Sequence, residues 1–226
     1  MTLPVRAILF DLDGTLLDTA PDMVGALNDL RREHELPSLP FDTARASVSH
    51  GAARLVALGF PDADPGQAAV LQRRFLEIYS AGLSVHTRLF AGMDSVLEEL
   101  GKRGLAAGIV TNKPAWLTVP LLTELKLRER FACVVSGDTL SERKPHPKPM
   151  LHAAELAGVA ADACIYVGDA ERDVQAAHAA GMAALVATYG YLHAGEDWRA
   201  WGGDGFLAQP LDLIGWLERN ERSERA

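Results

Sequence analysis

The sequence predicts an α/β fold, in which a parallel sheet carries helices on both faces and an all-helical segment is inserted near its start. Short apolar runs recur along the 226 residues, and Ala- and Leu-rich amphipathic stretches lie between them. Such alternation is typical of a parallel sheet whose strands are joined by helices. After the first run, however, one long interval shows helical patterns and no convincing strand. A chain of this length can bury a large core.

Five apolar runs are predicted to be the strands of the sheet. Ligands of open parallel sheets bind at the carboxyl ends of the strands, where four of these runs end directly in polar residues. We therefore expect those polar residues to meet in one crevice. The predicted strands are residues 5–10, 106–110, 133–135, 164–167 and 183–186, and the polar residues are Asp11, 111–113, 136–138 and 168–169.

Residues 18–86 are predicted to form the helical insert, and residues 1–17 and 87–226 to form the α/β core. Apolar residues occur at helical spacing in three stretches of the insert, which are separated by turn-rich segments. The flanking segments 16–19 and 86–92 would then be hinges. The three helical stretches are residues 24–30, 52–58 and 69–79.

Composition argues against several classes of protein. Lys and Arg number 22 against 30 Asp and Glu, a formal net charge of −8, and no basic run occurs, so a nucleic-acid partner is not expected. No apolar stretch approaches the ~20 residues of a membrane span, and we expect a soluble, cytoplasmic protein without a membrane partner. Cys133 and Cys164 lie in apolar runs and are predicted to be buried thiols, in neither a disulfide nor a metal site.

The segment Asp11-Leu12-Asp13-Gly14-Thr15 places two carboxylates at the end of the first predicted strand. Successive side chains of a strand point to opposite faces, so Asp11 and Asp13 share a face. Two carboxylates this close repel each other unless a cation or protons intervene. An ordinary Asp-Gly turn is the structural alternative for this segment.

If the polar strand ends converge, the crevice holds Asp11, Asp13 and Asp169, together with the hydroxyl group of Thr111 and a cation such as Lys144. Three carboxylates favour a hard divalent cation, and Mg²⁺ is typically held by one or two carboxylates, waters and substrate oxygens. Such a site suits phosphoryl transfer, in which catalysis is mostly positioning and charge neutralisation. A carboxylate can also act as the nucleophile.

With these residues in this order, the chain resembles phosphatases of the haloacid dehalogenase superfamily that carry a helical cap between their first and second motifs. The resemblance covers nearly the whole chain and implies that superfamily's Rossmann-like parallel-sheet core. Four motifs occur in order, each after a predicted strand. They are Asp11-Leu12-Asp13-Gly14-Thr15, Val110-Thr111-Asn112, Lys144-Pro145 and Gly168-Asp169-Ala170-Glu171-Arg172-Asp173.

The resemblance implies a role for each core residue. Asp11 would attack phosphorus and form an aspartyl-phosphate, while Asp13 would protonate the leaving alcohol and later activate water. Thr111 would hold the phosphoryl oxygens, and Lys144 would neutralise charge and fix Asp11. Asp169 would complete the Mg²⁺ site with Asp11 and the backbone carbonyl of Asp13. An acid two residues after the nucleophile indicates a phosphatase rather than a dehalogenase.

Further residues are predicted around this core. Asp173 falls one helical turn after Asp169 and would order the waters around the metal, although an acid in the first turn of a helix is the alternative. Asn112 and Lys113, with Thr111, are predicted to bind substrate. The proline pattern after Lys144 favours it over Arg143, Lys113 and Lys148 as the catalytic lysine, and Lys148 is expected to face solvent.

Substrate choice is expected to lie in the insert loop 49–54. Gly51 permits close approach, and we expect Arg54, with His50, to bind a substrate carboxylate, a solvent-exposed loop being the alternative. The chain resembles bacterial phosphoglycolate phosphatases, and segment 189–193 with Trp201 and Gly202 resembles the N-acetylmuramic acid 6-phosphate phosphatase subgroup. Both of those substrates carry a carboxylate. Packing is the alternative role of these aromatic residues and of Trp198.

Two other functions stay open on the sequence alone. A phosphomutase similar to β-phosphoglucomutase would use the same core, and a non-catalytic binding or regulatory protein would share the fold. The expected partner is a small phosphate ester, and the expected assembly is a monomer or a homodimer.

Overall fold

A six-stranded parallel sheet forms the centre of the protein, in a computed structural model that describes residues 5–193 and 195–224. The sheet has the strand order β5-β4-β1-β6-β7-β8, and β2 pairs separately with β3. The first strand of the chain therefore lies inside the sheet, between two parallel neighbours. The strands are β1 (Ala7–Phe10), β2 (Leu17–Asp18), β3 (Arg88–Leu89), β4 (Ala106–Val110), β5 (Cys133–Val135), β6 (Cys164–Gly168), β7 (Ala183–Ala187) and β8 (Gly205–Leu207).

Helices cover both faces of this sheet. Ile8 and Phe10 of β1 belong to one core cluster, with α5, α6 and α9, whereas Ala7 and Leu9 belong to a second cluster, with α7 and α8. This division confirms the predicted α/β class. The helices are α1 (Ala20–Glu33), α2 (Phe41–Arg45), α3 (Gly51–Gly59), α4 (Pro65–Ser80), α5 (Met93–Lys102), α6 (Ala115–Glu124), α7 (Lys148–Leu156), α8 (Glu171–Ala179) and α9 (Asp212–Glu224).

All five predicted strands are present, with bounds that differ by at most two residues. Strand β8, which pairs with β7 at the edge of the sheet, was not among the predicted strands. This strand is only three residues long, begins with a glycine and exposes Phe206, so no apolar run marked it. Its pairing with β7 depends on the rest of the sheet rather than on its own pattern.

The segment between β2 and β3 is helical, as predicted, and contains α1 to α4 and a 3-10 helix at Val48–His50. The flanks predicted as hinges pair as an antiparallel ladder, with Leu17 opposite Leu89. Buried Asp22 of α1 reinforces this junction, because its carboxylate accepts hydrogen bonds from the backbone N–H groups of His86 and Thr87. The division into a core of 1–17 and 87–226 and a cap of 18–86 stays a prediction.

The insert and the sheet share apolar packing. Leu27, Leu55 and Phe75 of the insert belong to the same buried cluster as Ile8 and Phe10 of β1.

None of the helices in the described part of the chain has the length and apolar character that a membrane span requires. Cys133 and Cys164 are buried free thiols.

Candidate active site

The polar residues that follow β1 and β4 meet in one cavity of about 440 Å³. Asp11 and Asp13 enter it from the end of β1, and Thr111 enters it from the end of β4. The insert closes the opposite side, where residues such as His50 and Tyr79 line the wall. The expected convergence of these strand ends is therefore observed.

A buried lysine joins Asp11, which lines this cavity, to a second carboxylate. Nζ of Lys144 lies 2.9 Å from Oδ1 of Asp11 and 2.8 Å from Oδ1 of Asp173, and all three side chains are at most 5% exposed. The backbone N–H of Leu12 also donates a hydrogen bond to Oδ1 of Asp11. Asp11 thus has a fixed orientation and a neutralising cation, as the motif predicts for a nucleophile.

Two further residues hold Lys144 in place. Nζ donates a hydrogen bond of 2.7 Å to the hydroxyl group of Tyr166, which donates to the carbonyl group of Val110. The side chain of Asn112 bonds both the backbone N–H and the carbonyl group of Lys144. Although Asn112 lines the cavity, its amide is therefore used to position the loop of the lysine, and its predicted contact with substrate stays a prediction.

Asp13 pairs with a second buried lysine. Nζ of Lys113 lies 3.1 Å from Oδ1 of Asp13 and donates a hydrogen bond of 2.9 Å to the hydroxyl group of Tyr79 in α4. Burial by itself lowers the pKa of Lys113, but Asp13 and Tyr79 outweigh this effect and hold the pKa above its usual value. Lys113 is consequently a permanent cation beside the predicted acid.

Asp11, Asp169 and Asp173 form a buried cluster that could hold a metal ion, with one oxygen of each carboxylate within 4.8 Å of the others. Burial, together with Asp11 and Asp173, raises the pKa of Asp169 to about 7. A desolvated group of carboxylates is costly without a cation, and an all-oxygen donor set matches a hard divalent ion. The side chain of Asp13 points instead towards Lys113.

Two glycines make room for the Asp169 carboxylate. A Cβ atom on Gly14 would lie 2.1 Å from Oδ2 of Asp169, and one on Gly190 would lie 2.4 Å from the Cβ atom of Asp169. Gly14 also has a φ of +85°, in the region that favours glycine. Gly14 of the first motif therefore admits the carboxylate as well as forming the turn.

The other predicted site residues differ in where they lie. His50 and Gly51 line the cavity, as do Thr111 and Lys113. Arg54 is exposed on α3 and is absent from the residues that line the cavity. Its contact with substrate stays a prediction, and its position does not support it.

Asp173 does more than the resemblance implies. Oδ1 pairs with Lys144, and Oδ2 accepts a hydrogen bond from the backbone N–H of Ala170 at the start of α8. Its predicted effect on waters around a metal stays a prediction. Asp173 lies both in the carboxylate cluster and in the first turn of α8, so its position is compatible with a role near a metal ion and with a role as a first-turn acid.

Four residues of the site were not predicted in their observed roles. Tyr79, Tyr166, Arg172 and Ser49 each hydrogen-bond a group at or beside the cavity. Tyr166 is part of an apolar strand and Tyr79 part of an amphipathic helix, so no motif marked them. Ser49 lies in the loop 49–54 and Arg172 in the fourth motif, but the residues to which they hydrogen-bond are more than a hundred positions away.

The aromatic residues after β7 pack at the junction of insert and core. The ring centroids of Tyr189 and Phe90 are 5.1 Å apart, and the hydroxyl group of buried Tyr191 bonds Asp18 and the N–H of Ala20. The Trp198 and Trp201 side chains are partly buried against the second core cluster. Packing, the alternative left open above, accounts for these positions.

The chain matches known proteins over most of its length. Residues 8–187 match the family model of haloacid dehalogenase-like hydrolases. A phosphoglycolate phosphatase of Xanthomonas campestris pv. campestris is 44% identical over 208 residues, which are 92% of this chain and 94% of that protein. An N-acetylmuramic acid 6-phosphate phosphatase of Pseudomonas putida is 37% identical over 212 residues, with coverage of 92% and 94%.

A solved structure gives the same result for the fold. The crystal structure of a predicted phosphoglycolate phosphatase from Haemophilus somnus superposes with a TM-score of 0.83 at 27% identity, covering 93% of this chain and 97% of that one. Together with the ordered motifs and the Asp11–Lys144 pair, these matches confirm the resemblance. The chain belongs to the haloacid dehalogenase-like hydrolase family and is a phosphatase enzyme of that family.

Proposed function

We propose that this protein is a Mg²⁺-dependent phosphomonoester hydrolase that works through an aspartyl-phosphate on a small, carboxylate-bearing phosphate ester. The observation that carries the proposal is the buried Lys144 between Asp11 and Asp173, with Asp11 and Asp13 lining one cavity. It combines a nucleophile, a cation and a separate acid within reach of one bound phosphate group.

The proposed reaction has two displacements at phosphorus. In the first, the Asp11 carboxylate forms a bond to phosphorus, the bond to the ester oxygen breaks, and Asp13 gives its proton to the leaving alkoxide. In the second, Asp13 takes a proton from water as the water oxygen bonds to phosphorus, and the bond to Asp11 breaks. Inorganic phosphate leaves, and Asp11 and Asp13 return to their starting states.

The residues fit a bound Mg²⁺ ion. Asp11 and Asp169 would supply carboxylate oxygens, the backbone carbonyl of Asp13 would supply a third, and Asp173 lies within the same cluster. When bound, the cation neutralises charge on the phosphoryl oxygens. Lys144 contributes on the protein side by orienting Asp11, and Thr111, which lines the same cavity, would hydrogen-bond the phosphoryl group.

Without metal, Asp169 is expected to destabilise the folded protein at neutral pH. Its folded-state pKa of about 7 lies above that of an unfolded chain, so the contribution of Asp169 to stability is fully present below about pH 4 and is lost as the pH rises through about 7. In EDTA at pH 8, Asp169→Asn should therefore unfold at a higher urea concentration than the wild type, and its free energy of unfolding should be higher by at most about 4 kcal/mol. Mg²⁺ should then stabilise the wild type and leave the variant unchanged.

Equal Mg²⁺ stabilisation of both proteins would contradict the assignment of Asp169 to the metal site. Asp42→Asn, at an exposed position on α2, is the matched control and should respond to Mg²⁺ like the wild type.

The charge on the cavity wall supports a substrate with a second anionic group. Lys113, Arg143 and Arg172 all line the cavity, and Lys113 is paired closely with the carboxylate of Asp13. Partial burial, with Arg172 and His193 nearby, lowers the pKa of His50, so His50 adds no charge at neutral pH. The relatives named phosphoglycolate phosphatase and N-acetylmuramic acid 6-phosphate phosphatase support the same class of substrate.

A panel of esters is expected to show this preference. We expect kcat/KM for 2-phosphoglycolate or N-acetylmuramic acid 6-phosphate to exceed that for glucose 6-phosphate by at least about tenfold, because a salt-bridged hydrogen bond to a second anion contributes about 1.5–3 kcal/mol. The rate of phosphate release over a range of substrate concentrations gives kcat/KM for each ester.

Equal rates for carboxylate-bearing and uncharged esters would overturn the substrate class while leaving the hydrolase intact. Turnover that requires a sugar bisphosphate would instead indicate a phosphomutase. A cytoplasmic location and a monomeric or homodimeric state stay predictions from the sequence.

A further inference from the structure

Ser49 brings a hydroxyl group from the insert to a carboxylate of the core. It lies in the 3-10 helix between α2 and α3, and its Oγ donates a hydrogen bond of 2.6 Å to Oδ2 of Asp169. The two residues are 120 positions apart in the chain. Neither the four motifs nor the proposed chemistry assigns a role to this contact.

With this contact, Oδ2 of Asp169 accepts two hydrogen bonds. Oδ2 of Asp169 also accepts a hydrogen bond of 2.9 Å from the backbone N–H of Tyr191. Among the described residues, Oδ1 has one hydrogen-bond contact, a long one of 3.5 Å with the hydroxyl group of Thr15. Two donors on one oxygen orient the carboxylate and leave the other oxygen available to a cation, which is how the surroundings of metal-binding carboxylates usually act.

The backbone of Ser49 is bound to the same part of the core. Nη2 of Arg172 donates a hydrogen bond of 2.6 Å to the carbonyl oxygen of Ser49. Arg172 follows Asp169 by three residues and lies in the first turn of α8. Both the side chain and the main chain of Ser49 are therefore attached to one short core segment, which makes the position of the hydroxyl group well defined.

The insert also holds the loop that carries the second donor. Nη1 of Arg45, at the end of α2, donates a hydrogen bond of 3.0 Å to the carbonyl group of Gly190, and its guanidinium lies 4.7 Å from the ring centroid of Tyr191. One of the two donors to Asp169, Ser49, thus belongs to the insert, and Arg45 of the insert contacts the segment that supplies the other, the N–H of Tyr191.

We propose that Ser49 is a positioning residue of the metal centre, so that docking of the insert and binding of Mg²⁺ favour each other. The inference rests on the proposed function, because it takes Asp169 as a Mg²⁺ ligand. Since coupling between two events is reciprocal, a residue that helps the docked insert to bind Mg²⁺ must also make Mg²⁺ stabilise the docked insert.

Mg²⁺ affinity tests the first half of this statement. Isothermal titration calorimetry with MgCl₂ on the full chain should give a Kd about tenfold or more higher for Ser49→Ala than for the wild type, within the roughly 10–100-fold range for such partners of metal ligands. Ser49→Thr keeps the hydroxyl group and should recover most of the affinity. Thr43→Ala removes an exposed hydroxyl group from neighbouring α2 and should bind like the wild type.

Hydrogen exchange tests the second half without measuring activity. Mg²⁺ should slow exchange of the backbone amides of residues 45–50 in the wild type and in Ser49→Thr. In Ser49→Ala, the same addition should leave their exchange unchanged, while amides of the central strands stay protected and so show that the variant is folded.

Wild-type affinity and wild-type Mg²⁺ protection in Ser49→Ala would overturn the inference and leave the proposed function standing. An equal loss of affinity in Ser49→Thr would also overturn it, because the hydroxyl group would then be irrelevant. If the wild type itself bound no Mg²⁺ and hydrolysed no ester, the proposed function would fail first, and the inference would fail with it.

Discussion

Asp11→Asn is expected to abolish Mg²⁺-dependent hydrolysis of a generic phosphomonoester, with a fall in kcat of at least about a thousandfold. The amide cannot displace the ester oxygen, although it fills the same space. Lys144 keeps its contact with Asp173, so the variant should remain folded. Release of inorganic phosphate from p-nitrophenyl phosphate measures the loss.

The same substitution also tests the covalent step. Acid-quenched wild-type enzyme should carry a phosphoryl group on Asp11, visible by mass spectrometry, and the variant should carry none. Turnover retained by Asp11→Asn at even a tenth of the wild-type rate would remove Asp11 as the nucleophile. Asp42→Asn should be fully active, since Asp42 is exposed on α2.

Lys144→Met is expected to cost both stability and activity. The lysine is buried between Asp11 and Asp173, and loss of one partner from a buried ion pair typically costs about 3–5 kcal/mol because a desolvated charge is left unpaired. Urea unfolding in EDTA should show a decrease of this order in the free energy of unfolding. Hydrolysis should fall at least about a hundredfold, as charge at phosphorus is no longer neutralised.

A second substitution separates these two effects. Adding Asp173→Asn to Lys144→Met removes an unpaired carboxylate and should recover part of the stability, while activity stays low because the cation is still missing. Lys148→Met is the matched control, since Lys148 is half-exposed and pairs with Glu142 at the surface, where a pair contributes about 0–1 kcal/mol. Unchanged stability in Lys144→Met would contradict the role of the buried pair.

The α/β class and the helical insert were both predictable, because each depends on local pattern. Strands such as Ala106–Val110 are continuous apolar runs, and α1, α3 and α4 repeat apolar residues at helical spacing. Strand β8 shows the limit of this reasoning. Its three residues carry little pattern, and their extended conformation results from pairing with β7.

The residues of the site were likewise predictable where they follow a strand and not where they depend on the packing of a helix. Asp11, Thr111 and Asp169 follow strands directly, so the rule for parallel sheets places them together. Arg54 was expected at the cavity from its spacing after Gly51, but the structure shows that its position on α3 faces solvent. Spacing along the chain gives the helical turn in which a residue lies. Which face of that helix lines the cavity depends on how the helix packs.

The sequence by itself determined which polar residues follow the strands and which family the chain belongs to. Asp11 and Asp13 come directly after β1, and their motif identifies the family before any distance is known. The tertiary structure alone decided which cation pairs with which carboxylate: Lys144 lies between Asp11 and Asp173, Lys113 lies on Asp13, and Ser49 reaches Asp169 from the insert. These pairs join residues far apart in the chain. The two lysines meet their carboxylates when the strands of the sheet come together, whereas Ser49 meets Asp169 when the insert packs against the core.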